Sequence, residues 1–585
     1  MSTTLEADTL LAIDVGSVNT RASLFDVVDG RYRLVATGRA PSTAGVPLAD
    51  VSEGVRAAVE QVQTVTGRRL IDEAESLIMP ATPGGAGVDV FVATTSAGPP
   101  ARALLVGLMP GISVESARRL AASCYLDIAG ELGLMDRRRE DEKLDTIVQS
   151  KPDLVLVVGG TDGGASQSML RLVDLVGSGL GLLPDEMLPP VVYAGNQKLA
   201  PDVSTRLGER FTVTAVPNIR PAIDQEELAA ARQRLAEVIH DVRSSRISGF
   251  EELRQWSGGN LMNTADAFGR IVRYLSQVYD PGKGVLGIDL GSAHTTIAAA
   301  FAGDLRLFVR SDLGQGSALP GVLRYGTLAD VQRWLPVEVA ESRLRDYIFN
   351  KAIHPGIVPA GTEELHIEYA LARQVARTAL GLARSDWPRG KDTASHPLLP
   401  PMEPVLASGG VLARAPRPGY SALVLLDAVQ PTGIATLVLD PYNLTPGLGV
   451  AAGPMPMAAV HALDSGSFVS LGTVVSPVGR GRPGRPVLRL KLEREHGETT
   501  EGEIRHGQLA VLPLRQGEAG KLTLRPERGF DVGFGAPGKA GALRVTGGAV
   551  GLIVDARGRP LMGPRDVGRA RDLNQKWLWD IGAME

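Results

Sequence analysis

The chain has 585 residues, 61 Lys and Arg against 65 Asp and Glu, and a net charge of −4. At about 100–200 residues per domain this length predicts three or four domains. The balanced charge excludes the broad basic field of a nucleic-acid or anionic-membrane binder. Its 44% hydrophobic content excludes a largely disordered chain. The one cysteine, Cys124, rules out an intrachain disulfide, a redox pair and a self-contained Cys-ligated cluster. It is read as a buried small hydrophobe, and the composition as that of a cytoplasmic protein. The opening stretch lacks a basic region followed by an apolar core, and no apolar run reaches the ~20 residues of a membrane span.

In chain order, the first segment reads as a strand, a turn and a second strand across LLAIDVGSVNT and RASLFDVV, with a hairpin turn at Asp29-Gly30. An amphipathic helix follows over about 50–65, then the strand VDVFVAT and the loop Thr94–Gly98. From about 100 to 220, apolar strands such as DLVLVVGG and VVYAG alternate with helices, which predicts a parallel sheet covered on both faces. After two helices, the strand of GKGVLGIDLGSAHTTIAAA opens a further α/β region. Beyond about 466, Gly-, Pro- and Val-rich short strands predict a β-rich C-terminal domain. The predicted domains are 8–100, 101–222, 223–465 and 466–585.

One echo sets the architecture. Leu11-Ala-Ile-Asp14-Val-Gly16-Ser17-Val-Asn-Thr20 recurs as Leu286-Gly-Ile-Asp289-Leu-Gly291-Ser292-Ala-His-Thr295, a duplicated supersecondary unit. Glycine and small hydroxyls in a tight turn let backbone N–H groups approach phosphate oxygens, and the aspartate can hold Mg²⁺, usually through water. Two such turns across a cleft would grip a triphosphate from both sides.

These paired hairpins, with Ala407-Ser408-Gly409-Gly410-Val411, resemble the actin-like ATPase superfamily. The resemblance implies a duplicated ribonuclease H-like α/β core, here with an α/β insert and the β-rich tail. It also implies ATP and Mg²⁺ as cofactors. Asp14, Gly16, Ser17 and Thr20 would hold one side of the phosphates, and Asp289, Gly291, Ser292 and Thr295 the other. Asp14 and Asp289 would hold the metal, and Gly409 and Gly410 would lie against adenosine. The loop carrying Thr95 would sit where the attacking water is placed.

Closer phrases are Val157-Val-Gly-Gly-Thr-Asp162-Gly-Gly164, Val192-Tyr-Ala-Gly-Asn196, Val216-Pro-Asn218, Gln430-Pro-Thr-Gly433 and Leu437-Val-Leu-Asp440-Pro-Tyr442. They are similar to the glutamate mutase accessory family, over roughly 8–465. That resemblance implies an ATP-dependent chaperone partner of an adenosylcobalamin-dependent mutase. The alternatives are a small-metabolite kinase and a nucleotide-binding scaffold without turnover. An iron–sulfur activator of the same fold needs two cysteines and is set aside.

Asp162 is the candidate to polarise water, although a Gly-flanked aspartate serves equally well as a turn former or N-cap. His294, inside the second hairpin, is expected as a partly exposed turn residue, with contact to phosphate as the alternative, and Glu364-Leu-His366-Ile-Glu368 as helix surface. Trp577 and Trp579 are expected either to pack a terminal helix or to anchor a partner.

Overall fold

The computed structural model describes residues 7–164, 166–384, 387, 398–495, 497–564 and 566–584. The first half opens with β1 (Leu10–Val15), β2 (Asn19–Val28) and β3 (Arg31–Pro41), an antiparallel meander. Its β2–β3 turn uses Asp29 and Gly30 at φ 52° and 73°, the left-handed pair that a tight hairpin requires. Next come α1 (Val51–Thr66), capped by Asp50, and β4 (Val90–Thr95), parallel to β1.

The insert runs β5 (Ala101–Gly107), α2 (Glu115–Ala121), β6 (Leu126–Gly133), α3 (Glu140–Ser150), β7 (Leu154–Gly159), α4 (Gln167–Leu180), β8 (Val191–Gly195), α5 (Ala200–Leu207), β9 (Val213–Ala215) and α6 (Ala229–Ser244). Its five strands are all parallel, in the order β6-β5-β7-β8-β9. Apolar clusters lie on both faces of this sheet, as near-continuous runs such as LVLVV demand. The chain then returns through α7 (Phe250–Trp256) to β10 (Leu261–Asn263), which pairs with β4 and completes the first sheet as β10-β4-β1-β2-β3. The first half therefore takes in chain beyond the expected boundary at 222, because its fifth strand follows the insert.

α8 (Thr264–Val278) leads into the second half: β11 (Gly284–Leu290), β12 (Thr295–Phe301), β13 (Asp304–Arg310), the helices α9 (Val322–Tyr325), α10 (Leu328–Gln332), α11 (Glu341–Ile353) and α12 (Thr362–Ala383), β14 (Met402–Ser408), α13 (Gly410–Ala413), α14 (Pro418–Ala428) and β15 (Gly433–Leu439). Strands β13-β12-β11-β14-β15 repeat the order and directions of the first sheet. The molecule has the duplicated ribonuclease H-like core of the actin-like fold. After α15 (Thr445–Ala451) and α16 (Pro456–Asp464), β16 (Val469–Ser476) adds antiparallel to β15.

The remainder comprises β17 (Val478–Gly479), β18 (Pro486–Arg494), β19 (Thr499–Arg505), β20 (Leu509–Leu512), β21 (Ala519–Pro526), β22 (Phe530–Asp531), β23 (Gly541–Thr546), β24 (Leu552–Asp555) and α17 (Val567–Asp580). β24 and β20 extend the second sheet, while β19-β18-β21-β23 form a separate four-stranded sheet. The β-rich tail is thus fused to the second half through shared strands. No helix among the described residues is long and apolar enough to cross a membrane.

Candidate functional site: the cleft between the two hairpins

The two Asp-x-Gly-Ser turns line one cleft of about 570 Å³, within the ~300–1,000 Å³ of small-molecule sites. Asp14, Gly16 and Ser17 face it from one side, Asp289, Gly291 and Ser292 from the other, with Gly409 and Gly410 beside the second hairpin. The turns are built alike. A Cβ on Gly16 would lie 2.9 Å from the Asn19 carbonyl oxygen, and one on Gly291 would lie 2.8 Å from that of His294. Only glycine lets the chain close so tightly. Gly409, at φ 103°, passes against the backbone of Leu290, locking the β14 turn onto the second hairpin.

Asp14 is held by four donors from different elements. Thr94 Oγ1 donates at 2.9 Å, Thr264 Oγ1 at 3.0 Å, Asn443 Nδ2 at 3.0 Å and Arg21 Nη1 at 3.2 Å. Asn443 in turn accepts from Ser408 Oγ at 2.8 Å, so a hydrogen-bonded chain joins the end of β14 to the first hairpin. Among the described residues no side-chain donor supports Asp289 in this way. Burial pushes its carboxyl up to about 7, the Asp14 charge adds to this, and Arg21 opposes it. Around the cleft, Ser292 Oγ, His294 Nε2 and both polar atoms of the Gln315 side chain are buried without a hydrogen-bond partner. Buried polar groups are costly unless satisfied, so this wall offers unmet hydrogen-bonding capacity to water or a polar ligand.

Two facing carboxylates, one of them raised first by burial and then by the other's charge, form a hard-oxygen pair whose repulsion a divalent cation would relieve. No group of three or more His, Cys, Asp or Glu stands together among the described residues. Two carboxylates would suit Mg²⁺, which uses one or two of them and completes its shell with water and phosphate.

Four expected residues stand elsewhere. Thr20 and Thr295 do not line the cleft; the residues after them, Arg21 and Thr296, do. Strand alternation explains this: Arg21 pairs opposite Asp14 and Thr296 opposite Asp289, so the preceding threonines point to the other face, Thr20 towards Gly54 of α1. Thr95 is buried, its Oγ1 accepting from Ala97 N at 3.3 Å, while Ser96 reaches the cleft. Asp162 belongs to the insert. It follows β7 and accepts from Asn218 Nδ2 at 2.9 Å and Gln197 N at 3.2 Å, serving as the turn former that its flanking glycines also allow.

His294 is the further correction. It is 6% exposed, lines the cleft, and is driven down to about 3 by burial, with Arg243 contributing. His366 and Glu368, expected on the surface, are also buried, because α12 is covered on nearly every side. Glu368 lines the far end of the cleft, held by Lys351 Nζ at 3.0 Å and by the Tyr347 hydroxyl.

A family model described as MutL protein matches residues 10–466. The chain belongs to the MutL protein family. Protein MutL of Clostridium tetanomorphum is 21% identical over 446 residues, covering 70% of this chain and 88% of that one. Among solved structures, nucleotide-free acetone carboxylase is 12% identical, covering 86% of this chain and 82% of that chain at a TM-score of 0.32. Nucleotide-free diol dehydratase-reactivating factor is 12% identical, covering 79% and 100% at 0.29. Xylulose kinase from Bifidobacterium adolescentis is 12% identical, covering 80% and 96% at 0.29.

Arg21, Asn443 and Gln315 of this MutL-family chain were not singled out from sequence. Arg21 had a signal, since it lies opposite Asp14 once the hairpin register is written out. Asn443 had a weaker one, being the first residue after the Asp-Pro-Tyr phrase.

Proposed function

We propose that the cleft binds ATP with Mg²⁺ and hydrolyses it, and that the resulting change in the angle between the halves remodels an adenosylcobalamin-dependent mutase. The observation that carries the reading is the facing pair Asp14 and Asp289 on equivalent glycine turns, ringed by unsatisfied polar atoms. In this reading the turn amides and the Ser17 and Ser292 hydroxyls bind phosphate, and Gly409 and Gly410 leave room for adenosine. Asp14 and Asp289 hold Mg²⁺, whose charge would neutralise that of the phosphates. Asp14 is immobilised by its four donors. Asp289, which accepts no side-chain hydrogen bond among the described residues, accepts one from the attacking water in place of Asp162. The mutase as partner rests on the family resemblance.

The test is nucleotide binding and phosphate release by the protein copurified from its native host, with and without the mutase retained. Mg²⁺-dependent ATP binding and partner-stimulated release of inorganic phosphate are expected. Phosphate transfer to a small acceptor would establish the kinase alternative. ATP binding without phosphate release would leave a scaffold.

A further inference from the structure

Among the described residues, the insert touches the cleft through one ring. Tyr125, just before β6, is buried and lies in the cleft wall with Asp289. Its hydroxyl accepts at 2.9 Å from the backbone N–H of Ala265, the residue after Thr264, which holds Asp14. Its ring meets the His294 imidazole edge-on, with centroids 4.6 Å apart at 80°. The Arg243 guanidinium of α6 lies over the same ring, 4.9 Å from its centroid. Tyr125 therefore contacts the second hairpin through His294, the first turn of α8 beside the Asp14 donor Thr264, and the insert helix α6.

Arg243 is 4% exposed, and Nε, Nη1 and Nη2 are all buried without a hydrogen-bond partner. A guanidinium carries five donors, and burying it unpaired costs several kcal/mol that a π face offsets only in part. Burial draws Arg243 down to about 10. No carboxylate pairs with it among the described residues, and His294 of the second hairpin, which packs on the same Tyr125 ring, is held neutral at physiological pH by its burial. A negative charge entering the cleft beyond Tyr125 and His294 would act on this cation through a poorly screening medium. The neighbouring chain also meets the second half directly, where Val309 N of β13 donates to the Ala122 carbonyl at 2.5 Å.

We propose that Arg243 is the charge through which the insert reads the phosphates. Nucleotide in the cleft stabilises α6 and the 122–126 segment in their docked position, a triphosphate more than a diphosphate. The inference rests on the nucleotide reading of the cleft. Arg243 is a positioning residue, acting through Tyr125 and His294. A ligand shifts such an equilibrium only by its differential affinity for the two positions, and the coupling is reciprocal.

The test is hydrogen–deuterium exchange of the full chain without nucleotide, with MgADP and with MgATP, read over 118–126 and 236–247, beside calorimetric nucleotide affinity. The wild type should gain protection in the order apo, MgADP, MgATP. Arg243→Met removes the charge at similar length. It should melt at or above the wild-type temperature without nucleotide, lose the nucleotide-dependent protection and bind MgATP about fivefold or more weakly. Arg243→Lys should restore the protection. Wild-type protection and affinity in Arg243→Met, a lowered apo melting temperature in it, or no restoration by Lys would overturn the inference while leaving nucleotide binding intact. A wild type that binds neither nucleotide would instead overturn the reading of the cleft.

Discussion

The cleft turns on how firmly single side chains are held. Asn443 spans the two halves, donating to Asp14 and accepting from Ser408. Replacing it by alanine removes one donor from a carboxylate and strands the serine hydroxyl. A hydrogen bond to a charged group is worth about 1.5–3 kcal/mol, so Asn443→Ala should lower ATP turnover about tenfold to a hundredfold, measured as kcat/KM. The glycines separate fold from site. Gly291→Ala drives a Cβ to 2.8 Å from a backbone oxygen; it should cost about 1–3 kcal/mol of stability in denaturant titration, as overpacking does, and abolish nucleotide binding with it. A Cβ on Gly410 meets nothing within 4 Å but projects from a residue that lines the cleft. Gly410→Ala should leave the melting temperature unchanged while nucleotide affinity falls.

At the scale of elements, the duplicated hairpins were legible because strand, turn and hydroxyl chemistry coincide in ten residues, and repetition removes the chance reading. The pleat was less legible. Hydroxyl residues at the start of a second strand suggest a phosphate ligand, yet period-two alternation sends Thr20 and Thr295 away from the cleft and brings in Arg21 and Thr296. The alternation was available from the sequence; the side facing the cleft was not, since β2 and β12 are buried on both faces. His294 is buried in the cleft wall and not partly exposed for a tertiary reason. A turn residue is normally wet, but here the insert lays Tyr125 against it. The strand β10 lacked a signal of its own, since three residues between two helices carry no periodicity. Its role is set by pairing with β4.

Across the whole molecule, each half sends a helix under the other. α8 leaves the first sheet and packs on the second, while α15 leaves the second and packs against α8 and the first sheet, with residues of both in one apolar cluster. These crossed helices join the two halves through one shared apolar cluster. The tail is bolted on by buried charge: Asp555 binds Arg557 and Arg559, each at 2.8 Å, and Arg557 reaches Asp427 of α14 at 2.7 Å beneath the buried Trp577. Trp577 thus packs the terminal helix, whereas Trp579 is exposed. Burial alone would raise the Asp555 carboxyl, but the two arginines hold it well below the carboxylate range. A depressed pKa stabilises the fold at pH above the unfolded value of about 3.8 and loses that contribution as pH falls below it. Asp555→Asn should therefore cost about 3–5 kcal/mol at neutral pH and flatten the acid limb of the stability curve, followed by denaturant titration across pH.

The insert leaves the first sheet after β4 and rejoins it at β10, two neighbouring parallel strands. The chain thus departs and returns side by side, as a loop tip would, and the rest of the core is continuous without it. Both attachment points also grip the same carboxylate, Thr94 at the exit and Thr264 at the return. A module hung this way can be lengthened, exchanged or shed without rethreading the ATPase-like core. Its two points of attachment nevertheless meet on one carboxylate, so a change in how the insert is seated would be felt first by the hydrogen bonds that hold Asp14.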